Sequence, residues 1–532
     1  MKKILYLFVS LLIVISSILI VSCNDSGEPS GSPMETLDAP TNINIDKRIL
    51  TWDAVENASG YIVSFANVEY ETAEPTFSLR FHGDGGEYDV QIKTVGDGES
   101  FWNSDWSEIA TFTLSERVAE GCDDSGFKYT LLEDGSGYEA NLNYGYADLR
   151  GYVTIPDYFG DYPVKRIGKR IFTPPLSMGN LTNYFTEQNC NTLTTGIKLP
   201  SELESIAPYA FYALVRLEEI VIPDTVTEIG ERAFEGCTHL TKVVLPKGLK
   251  TIPGGCFKNT ALSEINLPET LEEIGGSAFK CEYTEIVGGY NTRYRGSCRI
   301  SEPFYVTVHI SSELSSVVIP SSVKRIGGHA FYGRENLEVC VIPNTVEFIN
   351  LKILGETKWY ENQPDGFLYI GEGNCFLYGY KGEVPAVIDN IPSHVTGICG
   401  GAFSSTNLKK IVIPDGVKLI GEAAFQVCSE LSEVCLPSDL ESIPSNSFSY
   451  TPSLKSITLP KTLENIGIDA FANSGLERIT IPGSCKIIER YAFSQCENLS
   501  EIVLEEGIES IGVGAFSRTA VKTIIWPKSL KT

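Results

Sequence analysis

The longest stretch of apolar positions in the chain is periodic. An Ile/Leu-Pro pair recurs at Pro200, Pro223, Pro246 and Pro268, then at Pro320 and Pro343. It resumes at Pro392, Pro414, Pro437, Pro460 and Pro482, with Glu505 in the next slot and Pro527 after it. Apart from two long gaps, the spacing is 22 or 23 residues. Six residues after the slot stands an Ile, from Ile206 and Ile229 through to Ile488 and Ile511. Eleven residues after it stands a Phe, from Phe211 to Phe516, replaced once by Leu354. A Leu five or six residues beyond the Phe closes the unit, as at Leu240, Leu431 and Leu499, so the variable residue lies in a loop. An earlier, divergent unit runs from Ile155-Pro156 through Ile167-Gly168 to Phe172.

Each unit predicts a short strand, a turn at Pro, a second extended piece ending in Ile-Gly, and a tight Ala-Phe turn. Residues three and one before the Pro point inward on a period of two, so those between them point outward. Pro follows the strand because it can end a ladder but not continue one. A single unit buries too little to offset the entropy of ordering it, so units must stack into a solenoid. The outward positions then form one sheet face, roughly 60 Å long at about 4.8 Å per turn. Its nearer ladder includes Val221, Val244, Val318, Val341, Val412, Thr458, Thr480 and Val503, the candidate ligand-binding residues. β-Branched residues also suit any sheet, which is the competing explanation for that ladder.

Two insertions break the rhythm. One, near 281–315, carries Tyr283, Tyr290, Tyr294 and Tyr305. The other, near 356–386, holds Trp359-Tyr360 and then Phe367-Leu368-Tyr369-Ile370 and Phe376-Leu377-Tyr378-Gly379-Tyr380. The second reads as a hairpin projecting from the solenoid, with Trp359 and Tyr360 as further candidate binding residues. Such aromatics can grip sugars or peptides, or pack back onto neighbouring turns.

Upstream the pattern differs twice. Ile4 to Ser22 is an apolar stretch behind Lys2 and Lys3, ending in Ile20-Val21-Ser22-Cys23, which resembles the lipobox of bacterial lipoproteins. The resemblance implies cleavage after residue 22 and lipidation at Cys23. A plain cleavable leader and an uncleaved membrane anchor are the alternatives. Residues 23–36 read as a flexible tether. From 37 to 115 short alternating runs predict a small all-β domain. Its landmarks are Leu50-Thr51-Trp52, Gly60-Tyr61-Ile62-Val63, Glu87-Tyr88-Asp89-Val90 and Ser104-Asp105-Trp106-Ser107, and they resemble a fibronectin type III domain. That resemblance implies a β-sandwich with Trp52 and Tyr88 packed between its sheets, acting as a spacer. Residues 116–126 read as a linker, and the solenoid fills 127–532.

Charge narrows the partners. Asp and Glu number 68 against 42 Lys and Arg, for a formal net charge of −26, and loss of Lys2 and Lys3 on cleavage makes it more negative still. Such a chain repels phosphate backbones, so no nucleic acid partner is expected, and acyl chains rather than basic residues must hold it at a membrane. Of 14 cysteines, Cys237, Cys428 and Cys496 share one repeat slot, three residues after the Phe. There they read as small buried filler, not as disulfides. No Cys-x-x-Cys, His-Glu-x-x-His or Gly-x-Ser-x-Gly occurs, and His82, His239, His309, His329 and His394 are scattered. Accordingly no catalytic residue, metal site or cofactor is expected, and the chain reads as a binding protein rather than an enzyme.

The stretch Ile222-Pro223-Asp224-Thr225-Val226-Thr227-Glu228-Ile229-Gly230-Glu231-Arg232-Ala233-Phe234-Glu235-Gly236-Cys237 carries the consensus nearly whole. It resembles the BspA-like leucine-rich repeats of bacterial surface proteins. The lead-in from Phe127-Lys128-Tyr129-Thr130 to Gly151-Tyr152-Val153-Thr154 resembles that family's N-terminal capping strands. The resemblance implies a mainly β, leucine-rich-repeat solenoid. It also implies a lipid-anchored protein of the bacterial cell envelope, on the outer membrane and facing outward. Its partner would be an extracellular protein or glycan of host, matrix or neighbouring cell. A scaffold role in a glycan-handling envelope system is the alternative, with a hydrolytic enzyme a distant third.

Overall fold

The computed structural model describes residues 34–531, except 80, 81, 83, 84, 143–150, 170, 172–193, 283, 296, 297 and 309–311. Of residues 284–308 only the backbone is described. Cys23 and Tyr283 therefore lie outside the described residues, as do the side chains of Tyr290, Tyr294 and Tyr305. The chain forms two compact units, one reaching to Leu79 and resuming at Gly86–Thr113, the other running from Leu114 with Arg80–Gly85.

The first unit is all β. Val68–Thr72, Gly60–Phe65, Gly86–Val95 and Ala110–Leu114 form one sheet, and Asn44–Asp46, Ile49–Thr51 and Thr76–Ser78 a second. Alternate residues of the long strands, Tyr61, Val63 and Phe65 with Val90 and Ile92, are buried, as the period of two requires. Trp52 meets Tyr61 edge-on at 5.3 Å, tying the end of one sheet to the other. Tyr88 is only half-buried, lying on Phe65 at 4.8 Å, and the hydroxyl that holds backbone is Tyr61's, accepting from the Val55 N–H at 3.0 Å. Trp102 is exposed, whereas Lys93 lies over the Trp106 ring.

The second unit is the solenoid, and it begins earlier than the sequence suggests. Glu120–Cys122, inside the stretch read as a linker, pairs antiparallel with Phe127–Leu131, which pairs with Tyr138–Leu142. Tyr138–Leu142 then runs parallel to Tyr162–Ile167 and onward to Ser205–Ile206 and Glu228–Ile229. This cap covers the first turns with Tyr129 stacked on Phe159 at 4.5 Å.

Each turn thereafter has three faces. The front face carries the three-residue strands before Pro, such as Glu219–Val221 and Lys242–Val244. The lateral face carries two-residue strands ending in the Ile, stacked in register, for example Ile252, Ile274, Ile326 and Ile349. The Gly after that Ile is there for space: a Cβ on Gly230, Gly275 or Gly421 would lie 2.1–2.5 Å from a backbone nitrogen of the preceding turn.

The third face is built of the Phe turns, and it bonds in one direction only. N–H groups two before, at, and two after the Phe donate to carbonyls of the next turn, as Tyr209 to Glu231, Phe211 to Ala233 and Ala213 to Glu235 at 2.8–3.0 Å. Intervening peptides close tight turns within the unit, as Cys237 N–H to Phe234 carbonyl. To alternate this way the flanking residues take left-handed φ, at Arg232 and Gly236, Ala423 and Val427, Tyr491 and Gln495. Inside, rings stack at 5.1–5.5 Å from Phe211 through Phe234, Phe257 and Phe279 to Phe331. A second stack runs from Phe403 to Phe516. Leu354 separates the two, so the stack is not continuous.

The slot three residues after the Phe has a definite duty. The Phe carbonyl is buried and needs a donor. Thr260 and Thr451 hydroxyls donate to the carbonyls of their own Phe257 and Phe448, at 2.8 and 2.7 Å. Cys237, Cys428 and Cys496 thiols reach back to Phe211, Phe403 and Phe471 of the preceding turn, at 3.0–3.2 Å. These three cysteines are free thiols. In one turn the same slot holds Arg334, fully buried. Its guanidinium donates to the carbonyls of Phe279 (2.5 Å), Thr260 (2.6 Å) and Phe257 (3.2 Å) and to the hydroxyls of Ser312 (2.8 Å) and Thr260 (3.0 Å). It bridges the turns on either side of the first insertion, whose backbone is an antiparallel hairpin, Thr284–Arg295 with Cys298–Val308.

Candidate ligand-binding surface

On the front face the period of two places side chains as the sequence reading expected. Val221, Val244, Val318, Val341 and Val503 are exposed, between 42% and 65%, while Ile220, Ile222, Val317 and Ile342 behind them are buried. Thr458 and Thr480 are exposed and Val412 is half-buried. Beside the apolar ladder runs a charged one that neutralises itself between turns. Glu219 faces Lys242, Arg478 faces Glu501, and Lys410 bonds Glu433 at 2.7 Å. Such exposed pairs add little to stability.

The face is not one continuous sheet. Its ladder runs in four lengths: Gly151–Thr154 to Lys242–Val244, Ser316–Val318 with Val339–Val341, Val387–Ile388 to Glu433–Cys435, and Arg478–Ile481 with Glu501–Leu504. Thr458 lies in a break between two of these lengths. Three-residue strands share only two or three bonds, so twist between turns opens the ladder while one bond at its entrance survives. Ser263 N–H to Thr241 carbonyl (3.0 Å) and Glu477 N–H to Lys455 carbonyl (2.9 Å) are such survivors. Val387, which the Pro spacing did not bring into the ladder, pairs in register with Lys410.

The second insertion corrects the sequence reading. Gly366–Ile370 and Phe376–Lys381 do form a hairpin, but it does not project. Its second strand joins the lateral sheet, with Phe376 opposite Gly397 and Leu377 opposite Ile398. Alternating aromatic and aliphatic residues suit a sheet strand as well as a free hairpin, and burial of Leu368, Ile370, Phe376 and Leu377 decides between them. Trp359 and Tyr360 are accordingly half-buried, on a short helix, Lys358–Glu361, capped by the Thr357 hydroxyl. Trp359 meets Tyr378 edge-on at 5.5 Å. Lys381 closes the end of that helix, its ammonium donating to the carbonyls of Tyr360, Glu361 and Gln363 at 2.7–3.2 Å.

Wedging this hairpin into the stack interrupts the Phe-turn ladder. Gly400 N–H still bonds the Ile349 carbonyl at 2.9 Å, so the turns touch at that corner. Beyond it they part. Lys352 and Glu356 N–H groups on one side, and Gly400 and Ala402 carbonyls on the other, make none of the turn-to-turn bonds found elsewhere. The Leu354 N–H between them is taken by the Tyr378 hydroxyl at 3.0 Å. The opening is a cleft of about 270 Å³, walled by Tyr332, Tyr360, Tyr378 and Tyr380 with Lys352 and Glu356 at its edge. The buried core divides nearby, one cluster reaching Tyr378 and Cys399 and the next starting at Leu377. Among the described residues no group of His, Cys, Asp and Glu is arranged to hold a metal ion.

The BspA type leucine rich repeat region, in six copies, matches residues 182–287, 307–432, 376–474 and 420–532, well over half of the sequence. The chain belongs to this family. Its solenoid, almost without helix, is a leucine-rich-repeat fold. Similar solved structures include a leucine rich cell surface protein from Faecalibacterium prausnitzii, 24% identical, covering 73% of this chain and 96% of that one at a TM-score of 0.31. A leucine-rich repeat protein from Bacteroides ovatus is 24% identical over 75% of this chain and 91% of its own, with a TM-score of 0.28. Another from Eubacterium ventriosum is 19% identical over 76% and 96%, with a TM-score of 0.34. No curated protein matches significantly. Within this BspA-type array the sequence reading found the front ladder but missed two features, Arg334 and the Tyr-walled cleft. The first had a signal: an Arg in a slot filled mostly by Cys, Thr and Ser, beside an insertion.

Proposed function

We propose that the protein is a lipid-anchored adhesin of the bacterial cell surface that holds an extended extracellular protein along the front face of its solenoid. The observation that carries this is the exposed ladder of Val221, Val244, Val318 and Val341, bordered at Glu219 and Lys242 by opposite charges in register on successive turns. An apolar stripe that is accessible offers contact area without a large desolvation cost. Its four short ladders suit a partner that follows a long surface, not a small molecule. Attachment through Cys23 and a spacer role for the N-terminal β unit, of the fibronectin type III kind, complete the proposal.

The test is binding of the full chain to a panel of extracellular matrix proteins, with two multi-site variants. One places Glu at Val412, Thr458 and Thr480 on the front face. The other replaces Glu231, Glu422 and Asp469 on the Phe-turn face. The front-face variant should lose binding while remaining folded. Loss confined to the second variant would move the site off the front face.

A further inference from the structure

The cleft opened by the second insertion lies on a different face and calls for a different ligand. Elsewhere on the Phe-turn face every turn presents donors to the acceptors of the next, for instance Gly401, Phe403 and Ser405 N–H groups to Glu422, Ala424 and Gln426 carbonyls at 2.8–2.9 Å. At the cleft a row of donors, Lys352 and Glu356, looks across at a row of acceptors, Gly400 and Ala402, with a space of about 270 Å³ between. That space is at the small end of ligand pockets. What fits between such rows must donate and accept at once. A hydroxyl does both. The protein itself seats one there, since the Tyr378 hydroxyl takes the Leu354 N–H that a carbonyl cannot use.

The remaining walls are aromatic. Tyr332, Tyr360 and Tyr380 are half-buried, offering apolar ring surface with a polar tip. Their places are fixed from behind: His329 meets Tyr332 edge-on at 5.3 Å, Phe367 meets Tyr380 at 5.3 Å, and the Lys381 ammonium lies 5.6 Å from the Tyr360 ring. At the rim Glu356 and Lys352 are exposed, a carboxylate acceptor and an ammonium donor. Burial first, and the neighbouring Glu356 carboxylate second, push the Tyr332 hydroxyl up to about 12, so it stays a donor at any working pH.

We propose that this cleft is a glycan site that takes a neutral pyranose ring, its C–H face on the tyrosines and its hydroxyls bridging the two backbone rows. It goes beyond the front-face reading and does not depend on it. A pyranose matches the cleft because it is apolar on its faces, lined with groups that both donate and accept at its edge, and uncharged between walls whose charges oppose each other.

The experiment is saturation-transfer NMR on the full chain in detergent micelles. Its probes are the methyl pyranosides of glucose, galactose, mannose, N-acetylglucosamine and N-acetylgalactosamine. At least one should receive saturation from the tyrosine rings. Glu356→Gln and Lys352→Ala, both at exposed positions, should each weaken it by about tenfold, one charge-assisted hydrogen bond's worth. Tyr380→Ala should abolish it, and the Val412, Thr458 and Thr480 variant should leave it unchanged. Transfer to none of the pyranosides, or transfer indifferent to Glu356, Lys352 and Tyr380, overturns the proposal. So does binding of tetramethylammonium without any pyranoside, because a carboxylate among rings also suits an organic cation.

Discussion

Replacing Arg334 with Ala should loosen the solenoid at the root of the first insertion. The guanidinium is fully buried and reaches three carbonyls and two hydroxyls but, among the described residues, no carboxylate. Two effects oppose each other. Burial lowers its pKa to about 10, so the unfolded chain binds that proton more tightly. The cost to the fold, roughly 3 kcal/mol at about 1.4 per unit, is fully present below that pKa and relieved only above it. Against this, removal leaves the Phe279 and Thr260 carbonyls without this donor, whereas the Ser312 hydroxyl still donates to the Leu262 carbonyl. At about 2 kcal/mol for each of these two buried groups left unsatisfied, the loss is about 4 kcal/mol. The Phe257 carbonyl keeps the Thr260 hydroxyl and adds nothing. The net expectation is a local loss of about 1 kcal/mol. Since repeat arrays do not open as one unit, the assay is native-state hydrogen exchange rather than a single melting temperature. Amides of residues 255–262 and 274–281 should exchange about fivefold faster, while those of 425–493 serve as control. Arg334→Thr should behave within about 1 kcal/mol of Arg334→Ala, because a Thr reaches only its own Phe carbonyl. Unchanged or slower exchange would mean that burying the charge outweighs the bonds, and the reasoning fails.

Val427 holds a φ of +60°, a conformation that a β-branched residue adopts only at a cost. Val427→Asn, the residue found at the equivalent Asn259 and Asn473, should stabilise the array by about 1 kcal/mol in urea unfolding, and no gain would show that the turn carries no strain. Cys23→Ala should abolish partitioning of the protein into the detergent phase; partitioning like the parent chain would identify the N-terminal stretch as a membrane-spanning anchor and remove lipidation from the proposal.

Much of this fold is written in the repeat, because each slot has one physical duty repeated a dozen times over. Period two before Pro fixes which side of Val221 and Ile222 faces water, and the eleven-residue step to Phe fixes the ring stack. Features that occur once are harder to read. Phe376–Lys381 has the composition of a strand, but nothing local states whether its partner is only the other arm of the hairpin or also Gly397–Ile398. The cleft follows from that pairing and from the turn-to-turn bonds it displaces, which belong to backbone and leave no mark on side-chain identity. Likewise the left-handed residues of the Phe turns are seldom Gly, as Arg232, His329 and Val427 show. Inter-turn bonding holds them there against their own preference. Arg334 is buried only because an insertion separates the turn it serves from the one it belongs to.

The one-way bonding of the Phe turns also has an electrical consequence. In each turn three peptide units point the same way, carbonyl toward the earlier turn and N–H toward the later one, as at Glu231, Ala233 and Glu235. Three peptide dipoles of about 3.5 D, repeated roughly every 4.8 Å, approach the line density of an α-helix. A chain with almost no helix thus carries a helix-strength dipole along its axis. Its sense is reversed: the positive pole lies toward later residues, whereas in an α-helix it lies at the N-terminus. The wedge at Phe376–Lys381 cuts this column in two, and at the cut the positive end of one half, at Lys352 and Glu356, faces the negative end of the other, at Gly400 and Ala402. Field lines that run unnoticed through the stacked turns emerge there, concentrated in the space between them.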